Sequence, residues 1–251
     1  MVHTRMSAIG WVPGGSEAVV RALLEALGPE GTLMAYASWE EHVYHATDWP
    51  EENRAAYLAE PPVFDPSIGE VDRDYGRIPE RVRTWPGAER SAHPEAGVVA
   101  IGGRARWLTE AHPQDDAYGK GSPFARLVEA GGQVLMLGAP LDTVTLLHHA
   151  EAIAGVAGKR RVTFCLPIAE GGRVVQRTFT DIDTSAGAFP YEKLQLGEDP
   201  FAVIARAALE AGIGRRGRVG KAETHLFGAA ELTAFAVSWM ESRFGPSGPG
   251  P

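Results

Sequence analysis

The residues best suited to chemistry are one histidine and two acids within residues 138–155. His148 and Glu151 are three positions apart, so a helix would place the imidazole and the carboxylate on one face. Asp142 precedes them and can cap that helix. An apolar segment, residues 134–138, comes just before and is expected to be a buried strand, whose end is where open α/β sheets bind ligands. A histidine beside a carboxylate suits general-base chemistry near neutral pH.

Helical and strand patterns alternate along the chain and predict the elements that position these residues. The alternation predicts an α/β fold with a mixed central sheet flanked by helices, and Gly171-Gly172 predicts a hairpin in that sheet. Strands are expected at 31–37, 97–101, 133–137, 162–168, 173–180 and 218–227. Helices are expected at 16–27 with Ser16 as the N-cap, after the strand at 97–101 until about residue 112, after Ser122-Pro123 until Gly131-Gly132, at 200–212 and at 229–244. Residues 38–90 lose the pattern and are expected to form a long irregular substrate-binding segment.

Composition limits the class of protein. The chain has 251 residues, a 44% hydrophobic fraction and a formal net charge of −8. These values fit one domain over residues 1–245, with a disordered tail at 246–251, and they argue against nucleic acid as a partner. No apolar run is long enough for a membrane helix, and no signal peptide is seen. Cys165 is the only cysteine, which fits a cytoplasmic location, and its apolar strand pattern predicts a buried and unreactive thiol.

Seven short segments together resemble the aminoglycoside 3-N-acetyltransferases, the antibiotic N-acetyltransferase family. They occur in the family's order between residues 2 and 245. They are VHTRMSAIG at 2–10, GTLMAY at 31–36, FDP at 64–66, RSAHP at 90–94, YGKGSP at 118–123, LGAPLDTVTLLHHAE at 137–151 and WMESRFG at 239–245. Family members usually have an additional N-terminal helix, so the edge of the coenzyme A site is expected to be less well supported here.

The resemblance implies direct acetyl transfer from acetyl-CoA to the 3-amine of the deoxystreptamine ring of an aminoglycoside antibiotic, which confers resistance. It implies His148 as the general base, with an acidic partner. Asp183 is the preferred partner, and Asp181 and Glu151 remain open alternatives.

The resemblance also predicts two groups of binding residues. Those expected to contact coenzyme A are His3, Thr4, Arg5, Met6, Ser7, Ser91, His93, Tyr118, Gly119 and Ser122. Those expected to contact the cationic antibiotic are Trp39, Glu40, Tyr57, Asp65, Asp115, Asp142 and Glu151, because carboxylates form charge-assisted hydrogen bonds to ammonium groups.

Three alternatives stay open at this stage. The same fold can acylate a different amine, or the chain can sequester cationic antibiotics without catalysis. A metal-dependent reaction is the third; His42 and His45 can bind zinc adventitiously, but the chain has no HExxH or CxxC motif, and no native metal is expected. The oligomeric state is expected to be a monomer or a homodimer.

Overall fold

A seven-stranded mixed sheet forms the centre of the computed structural model, which describes residues 1–41 and 49–245. Within these residues the strands are β1 (Val2–Thr4), β2 (Thr32–Tyr36), β3 (Glu89–Arg90), β4 (Val98–Gly102), β5 (Gln133–Leu137), β6 (Arg161–Glu170), β7 (Arg173–Ile182), β8 (Arg215–Val219) and β9 (Ala222–Gly228). The central sheet has the order β3-β4-β2-β1-β5-β9-β8. Strand β1 is parallel to β2 and β5, and the remaining neighbours are antiparallel. The predicted fold class is confirmed.

Helices cover both faces of this sheet. They are α1 (Met6–Ile9), α2 (Gly15–Leu27), α3 (Glu51–Ala59), α4 (Arg77–Arg83), α5 (Ala105–Thr109), α6 (Pro123–Glu129), α7 (Leu146–Ile153), α8 (Pro200–Glu210) and α9 (Ala229–Phe244). In β2, Leu33 and Ala35 belong to the core that α2 and α4 cover, while Met34 and Tyr36 belong to the core shared with α6, α7, α8 and α9. This two-residue alternation is what a strand buried on both faces requires. Among the described residues, no helix combines the length and the apolar character that crossing a membrane requires.

The loops that follow the parallel strands β1 and β5 meet at one edge of the sheet. The Arg5 amide donates a hydrogen bond to the Leu137 carbonyl at 3.1 Å, so the two strand ends are held together. Gly138 follows β5 with φ +69°, and a Cβ there would lie 2.8 Å from the Ala8 side chain. A glycine is therefore needed where β5 turns away from β1. This edge carries the clefts described below.

The β6–β7 hairpin is a separate two-stranded sheet, so the prediction that it joins the central sheet is wrong. It packs instead against the segment before α4: Phe64 lies beside Ile168, and the Phe64 amide donates to the Pro167 carbonyl at 2.9 Å. The apolar side chains at this junction are Trp39, Tyr57, Phe64, Leu166, Ile168 and Phe179. The mixed character of the central sheet comes from the antiparallel strands β3, β4, β8 and β9.

Four further expectations need correction or lie outside the description. Helix α2 begins at Gly15, and Gly14, in the left-handed conformation, is its N-cap. Ser16 is already inside the helix and therefore is not the cap. The 38–90 segment contains α3, α4 and β3 and is not irregular throughout. The strand expected at 218–227 is the β8–β9 hairpin, which turns at Gly220. Residues 42–48, with His42 and His45, and the tail 246–251 lie outside the described residues.

Candidate active site

Helix α7 presents His148 and Glu151 at the edge where β1 and β5 end. A short 3-10 turn, Leu141–Thr143, separates β5 from α7, so Asp142 lies in that turn and does not cap the helix. The N-cap position belongs to Thr145, whose side chain makes no capping hydrogen bond. The physical reason is spacing: the additional turn puts Asp142 too far before the first helical amides. Asp142 is exposed and lines the clefts on this side.

His148 and Glu151 form a hydrogen-bonded pair. The distance from His148 Nδ1 to Glu151 Oε2 is 2.7 Å, and the two side chains are 18% and 0% exposed. Glu151 Oε1 accepts hydrogen bonds from the Tyr191 hydroxyl at 2.9 Å and the Ala188 amide at 3.3 Å. The carboxylate is therefore held from two sides, and it holds the imidazole through Nδ1. That arrangement leaves His148 Nε2 for the cleft.

Two aromatic rings flank the His148 imidazole. Its centroid is 5.1 Å from that of Tyr118 and 4.6 Å from that of Phe201. Together with Glu151 they restrict the imidazole to one orientation.

Neither aspartate at the end of β7 contacts His148. Asp183 Oδ1 accepts hydrogen bonds from the Ser185 amide, the Ser185 hydroxyl and the Ala186 amide, so it stabilises its own turn. Asp181 is fully buried; it accepts a hydrogen bond from the Ala117 amide at 2.7 Å, and burial raises its pKa to about 6. The preference for Asp183 as the partner of His148 is therefore wrong, because this side chain is committed to a local turn. Glu151 makes that contact.

Three adjoining clefts run along this edge. The central cleft, of about 440 Å³, has His148 on its wall. Its lining residues are His3, Tyr36, Asp74, Tyr75, Glu95, Tyr118, Asp142, Thr143, Thr145, His148, Thr184, Ser185 and Phe201. On one side a cleft of about 260 Å³ shares His3 and Tyr75 with it and continues to Thr4 and Arg5. On the other side a cleft of similar size shares His148 and continues to Tyr191, Glu192 and Asp199. His148 thus lies between two sections of one groove.

The comparisons with known proteins agree on one family. The family model described as aminoglycoside 3-N-acetyltransferase matches residues 1–241. The chain belongs to that family. It is 53% identical, over 98% of its own length and 86% of the relative, to aminoglycoside N(3)-acetyltransferase VIII of Streptomyces fradiae. The resemblance seen in the sequence is confirmed, and membership makes the protein an acetyltransferase.

Solved structures of aminoglycoside acetyltransferases have the same fold. The structure of AAC(3)-Xa superposes with a TM-score of 0.91 at 51% identity, covering 97% of this chain and 86% of that one. AAC-IIIb in a binary complex with CoASH gives 0.88 at 44% identity, covering 100% and 91%. AAC-VIa with bound sisomicin gives 0.88 at 39% identity, covering 97% and 91%.

Four of the predicted coenzyme A residues line the groove. His3, Thr4 and Arg5 line its first section, and Tyr118 lines the central cleft. Burial lowers the pKa of His3 to about 3, so its imidazole is neutral at physiological pH. Among the described residues, His3 Nε2 and Thr4 Oγ1 are buried without a hydrogen-bond partner. Unpartnered buried polar atoms at the end of a strand are suited to receiving a polar ligand. Met6 and Ser7 follow in α1 and do not line these clefts.

The other predicted coenzyme A residues are buried parts of the framework. Ser91 Oγ accepts a hydrogen bond from the Val98 amide at 3.0 Å, and His93 Nδ1 accepts one from the Ala96 amide at 2.9 Å. Ser122 caps α6 by accepting from the Ala125 amide at 3.1 Å. Gly119 is buried against Asp116, where a Cβ would lie 1.9 Å from the carboxylate. None of these four lines the three clefts, so their contact with coenzyme A stays a prediction.

Most of the residues predicted to contact the antibiotic also lie outside the three clefts. Trp39 and Tyr57 are buried in the junction with the hairpin, and Asp65 accepts hydrogen bonds from Ser67 in a tight turn. Glu40 pairs with Arg73 at 2.5 Å. None of these four lines the three clefts.

Asp115 likewise stays outside the clefts; it is exposed, and its carbonyl accepts a hydrogen bond from Arg161 at 2.7 Å. Glu151 is at the groove but fully buried, and its oxygens already bind His148 and Tyr191, so its direct contact with an antibiotic stays a prediction. Asp142 alone keeps the predicted position for acceptor binding.

The groove also contains residues that sequence reasoning did not select. They include Tyr36, Asp74, Tyr75, Glu95, Thr184, Tyr191, Asp199 and Phe201. They come from separate segments that only the fold brings together, and no spacing signal connects them. Glu95 had a local signal, since it directly follows the His93-Pro94 motif. A family alignment would have been needed to select the others.

Proposed function

We propose that the protein transfers the acetyl group of acetyl-CoA directly to the 3-amine of an aminoglycoside, with His148 as general base. The observation that carries this proposal is the His148–Glu151 pair on the wall of an acid-lined groove. The amine must lose a proton to become nucleophilic, and His148 Nε2 is free to accept it. Glu151 acts as a positioning residue, because it accepts the Nδ1 proton and stabilises the charged imidazolium.

The donor side of the groove fits coenzyme A. When bound, acetyl-CoA supplies an acetyl thioester, and AAC-IIIb was solved with CoASH. His3 Nε2 and Thr4 Oγ1 supply unpartnered polar atoms, and the exposed Arg5 guanidinium beside them can bind a phosphate. We assign the cosubstrate to the section lined by these three residues, which adjoins the central cleft containing His148.

The acceptor side fits a polycation. Asp74, Glu95 and Asp142 line the central cleft, and Asp199 lines the section beyond it. Carboxylates at these positions attract and orient ammonium groups. AAC-VIa, a member of the same family, was solved with sisomicin. The charge of the groove and the net charge of −8 support a cationic acceptor and argue against a nucleic acid.

A covalent route through Cys165 has no support. The thiol is exposed, which corrects the expectation that it is buried, and its Sγ lies 3.5 Å from Gln176 Oε1 on the hairpin. It does not line any of the three clefts, so it cannot reach a bound thioester there. Direct transfer therefore needs only the base and the two ligands.

The test is free-thiol release from acetyl-CoA, measured with a panel of aminoglycosides for the wild type, His148→Ala and His148→Gln. We expect drug-dependent release in the wild type and a fall in kcat of roughly 10²- to 10⁴-fold in both variants. The matched control is His225→Ala, because His225 is on β9 and outside the clefts. A His148 variant that keeps kcat within about threefold of the wild type would contradict the base assignment. No release with any drug would contradict the acceptor class.

We also propose a cytoplasmic location, where acetyl-CoA is available, and a monomer or homodimer. Light scattering coupled to size-exclusion chromatography tests the second statement. A larger assembly would contradict it.

A further inference from the structure

Glu95 is a buried acid on the wall of the central cleft that the proposed mechanism does not use. It is 4% exposed, and among the described residues its Oε2 atom has no hydrogen-bond partner. Its Oε1 atom accepts only a long hydrogen bond, 3.4 Å, from the Thr184 hydroxyl. Removing a carboxylate from water costs free energy unless hydrogen bonds or a cation compensate. In the protein alone, the Glu95 carboxyl group therefore lacks the hydrogen bonds that a buried acid normally makes.

Among the residues that the structure describes, the charged groups that act on Glu95 add no compensating positive charge. Those that act on it electrostatically are Asp181 and Asp183, both acidic. The hydroxyl groups nearby form a chain: Tyr118 Oη is 3.0 Å from Tyr36 Oη, which donates a hydrogen bond to the Glu95 carbonyl at 2.9 Å. Burial and the charge of Asp181 raise the pKa of Glu95 to about 8.

Glu95 and His148 line the same cleft. That cleft is about 440 Å³, and its wall between them includes Tyr118, whose ring is 5.1 Å from the His148 ring and whose hydroxyl is 3.0 Å from that of Tyr36; Tyr36 in turn donates to the backbone carbonyl of Glu95. The deoxystreptamine ring carries its two amines on carbons 1 and 3, separated by one methylene. When one amine reacts at His148, the other remains an ammonium on the same ring and needs an anionic partner nearby.

The other acids of the central cleft are less suited to this role. Asp74 and Asp142 are exposed, so water screens their charges and an ion pair there contributes little. Glu95 is shielded from water, and the same pair is stronger in that environment.

We propose that Glu95 is a second ammonium-binding site of the acceptor cleft, which receives the 1-ammonium of the deoxystreptamine ring while the 3-amine lies beside His148. This inference rests on the proposed function. It makes Glu95 a determinant of acceptor affinity and of the presentation of the reactive amine.

The test compares two acceptors, an aminoglycoside with a free 1-amine and its 1-N-acylated derivative. Dissociation constants are measured by calorimetry, and KM and kcat by thiol release, for the wild type, Glu95→Gln and Glu95→Asp. The matched control Glu129→Gln makes the same replacement of an acid by an amide at an exposed position at the end of α6. Thermal unfolding of each variant establishes that it is folded.

We expect Glu95→Gln to weaken binding of the free-amine drug by roughly 10- to 100-fold, as loss of a charge-assisted hydrogen bond implies. The KM should rise with the dissociation constant, while kcat changes much less. The 1-N-acylated drug lacks the ammonium, so the same substitution should change its affinity by less than about twofold. Glu95→Asp keeps a carboxyl group that can ionise when the ammonium binds, and it should retain part of the affinity.

A second readout is proton release. Below pH 8 Glu95 is protonated in the free protein, because its pKa is about 8, and pairing with an ammonium ionises it. Calorimetry in buffers of different ionisation enthalpy should show up to about one more proton released by the wild type than by Glu95→Gln near pH 6.5. That difference should disappear well above pH 8.

The outcomes separate this inference from the proposed function. Equal affinities of the wild type and Glu95→Gln for the free-amine drug would overturn the Glu95 site, even if turnover is normal. Equal losses for both drugs would also overturn it, since the effect would not depend on the 1-ammonium. Binding without turnover in the wild type would overturn the proposed function while leaving the Glu95 comparison intact. Absence of any binding would overturn both.

Discussion

Glu151→Gln is the substitution that most directly tests how the His148 base is positioned. In the wild type, Glu151 Oε1 accepts hydrogen bonds from Tyr191 and Ala188, and Oε2 contacts His148 Nδ1. A glutamine in the same place keeps its carbonyl oxygen on these two groups, because an amide nitrogen there would face the Ala188 backbone amide, which can only donate. Its amide group then points to His148 and donates to Nδ1.

That reversal changes the tautomer of the imidazole. With a carboxylate partner the proton is on Nδ1, and Nε2 can accept a proton from the substrate amine. With an amide donor the proton is on Nε2, which then cannot act as a base. The substitution also removes the stabilisation of the imidazolium, worth roughly 1.5–3 kcal/mol for a hydrogen bond to a charged group, or about 10- to 150-fold in rate. The corresponding change of acid to amide in a serine protease costs about 10⁴ in kcat. We therefore expect kcat to fall roughly 10²- to 10⁴-fold.

The assay is the initial rate of thiol release as a function of pH, with Glu129→Gln as the matched control. The variant keeps the number of hydrogen bonds at position 151, so its unfolding free energy in urea should change by less than about 1 kcal/mol. The limb of the wild-type pH profile that reports deprotonation of the base should be lost or displaced. A folded variant with kcat within about threefold of the wild type and an unchanged pH profile would refute the reasoning. An equal fall in the control would also refute it.

Three further predictions concern stability. Ser122→Ala removes the N-cap of α6 and should lower the free energy of unfolding in urea by about 1 kcal/mol, with the KM for acetyl-CoA unchanged. A tenfold rise in that KM would instead support the contact with coenzyme A that the sequence predicts for Ser122. Phe64→Ala empties a fully buried site beside Trp39 and the hairpin and should cost about 3–5 kcal/mol in the same assay; a loss under 1 kcal/mol would contradict this packing. Asp181→Asn removes a buried acid whose pKa is raised to about 6. The protonated Asp181 side chain therefore supports the stability of the wild type below pH 4, and this support is lost as the pH rises through 6. The free energy of unfolding of the variant, relative to that of the wild type, should increase by up to roughly 3 kcal/mol between pH 4 and 7.5. A difference that does not depend on pH in urea titrations would refute this prediction.

Elements with strong local patterns could be predicted from the sequence. The apolar run of β5, the serine and proline that open α6, and the continuous pattern of α9 each lie where expected, within a few residues. The hairpin was also expected, but its partner was not, because nothing in the alternation of β6 and β7 shows that their apolar side chains meet Phe64. The N-caps at Ser16 and Asp142 failed for a related reason. Several polar residues before a helix can serve as the cap, and backbone torsions decide which one does.

Several residues predicted to bind coenzyme A lie outside the clefts, because the same residue type serves two purposes. Ser91, His93 and Ser122 occur in segments that resemble the family, yet each binds a nearby backbone amide in the interior. A serine or histidine in a loop can satisfy the backbone or a ligand, and the residue type does not distinguish the two. His3, Thr4 and Arg5 were more predictable, because the end of a parallel strand opens towards a cleft whichever residues occupy it.

The sequence by itself determined the features that depend on near neighbours in the chain. The alternation of strands and helices follows from the spacing of apolar residues, and the 2.7 Å contact between His148 and Glu151 follows from their separation of three on a helix. Only the tertiary structure decided that Asp183 binds its own turn, that Trp39 and Asp65 lie away from the groove, and that Glu95 is on its wall. Those outcomes depend on burial and on partners far apart in the chain. Burial sets which charges remain unpaired, and it exists only once the sheet, the helices and the hairpin are assembled.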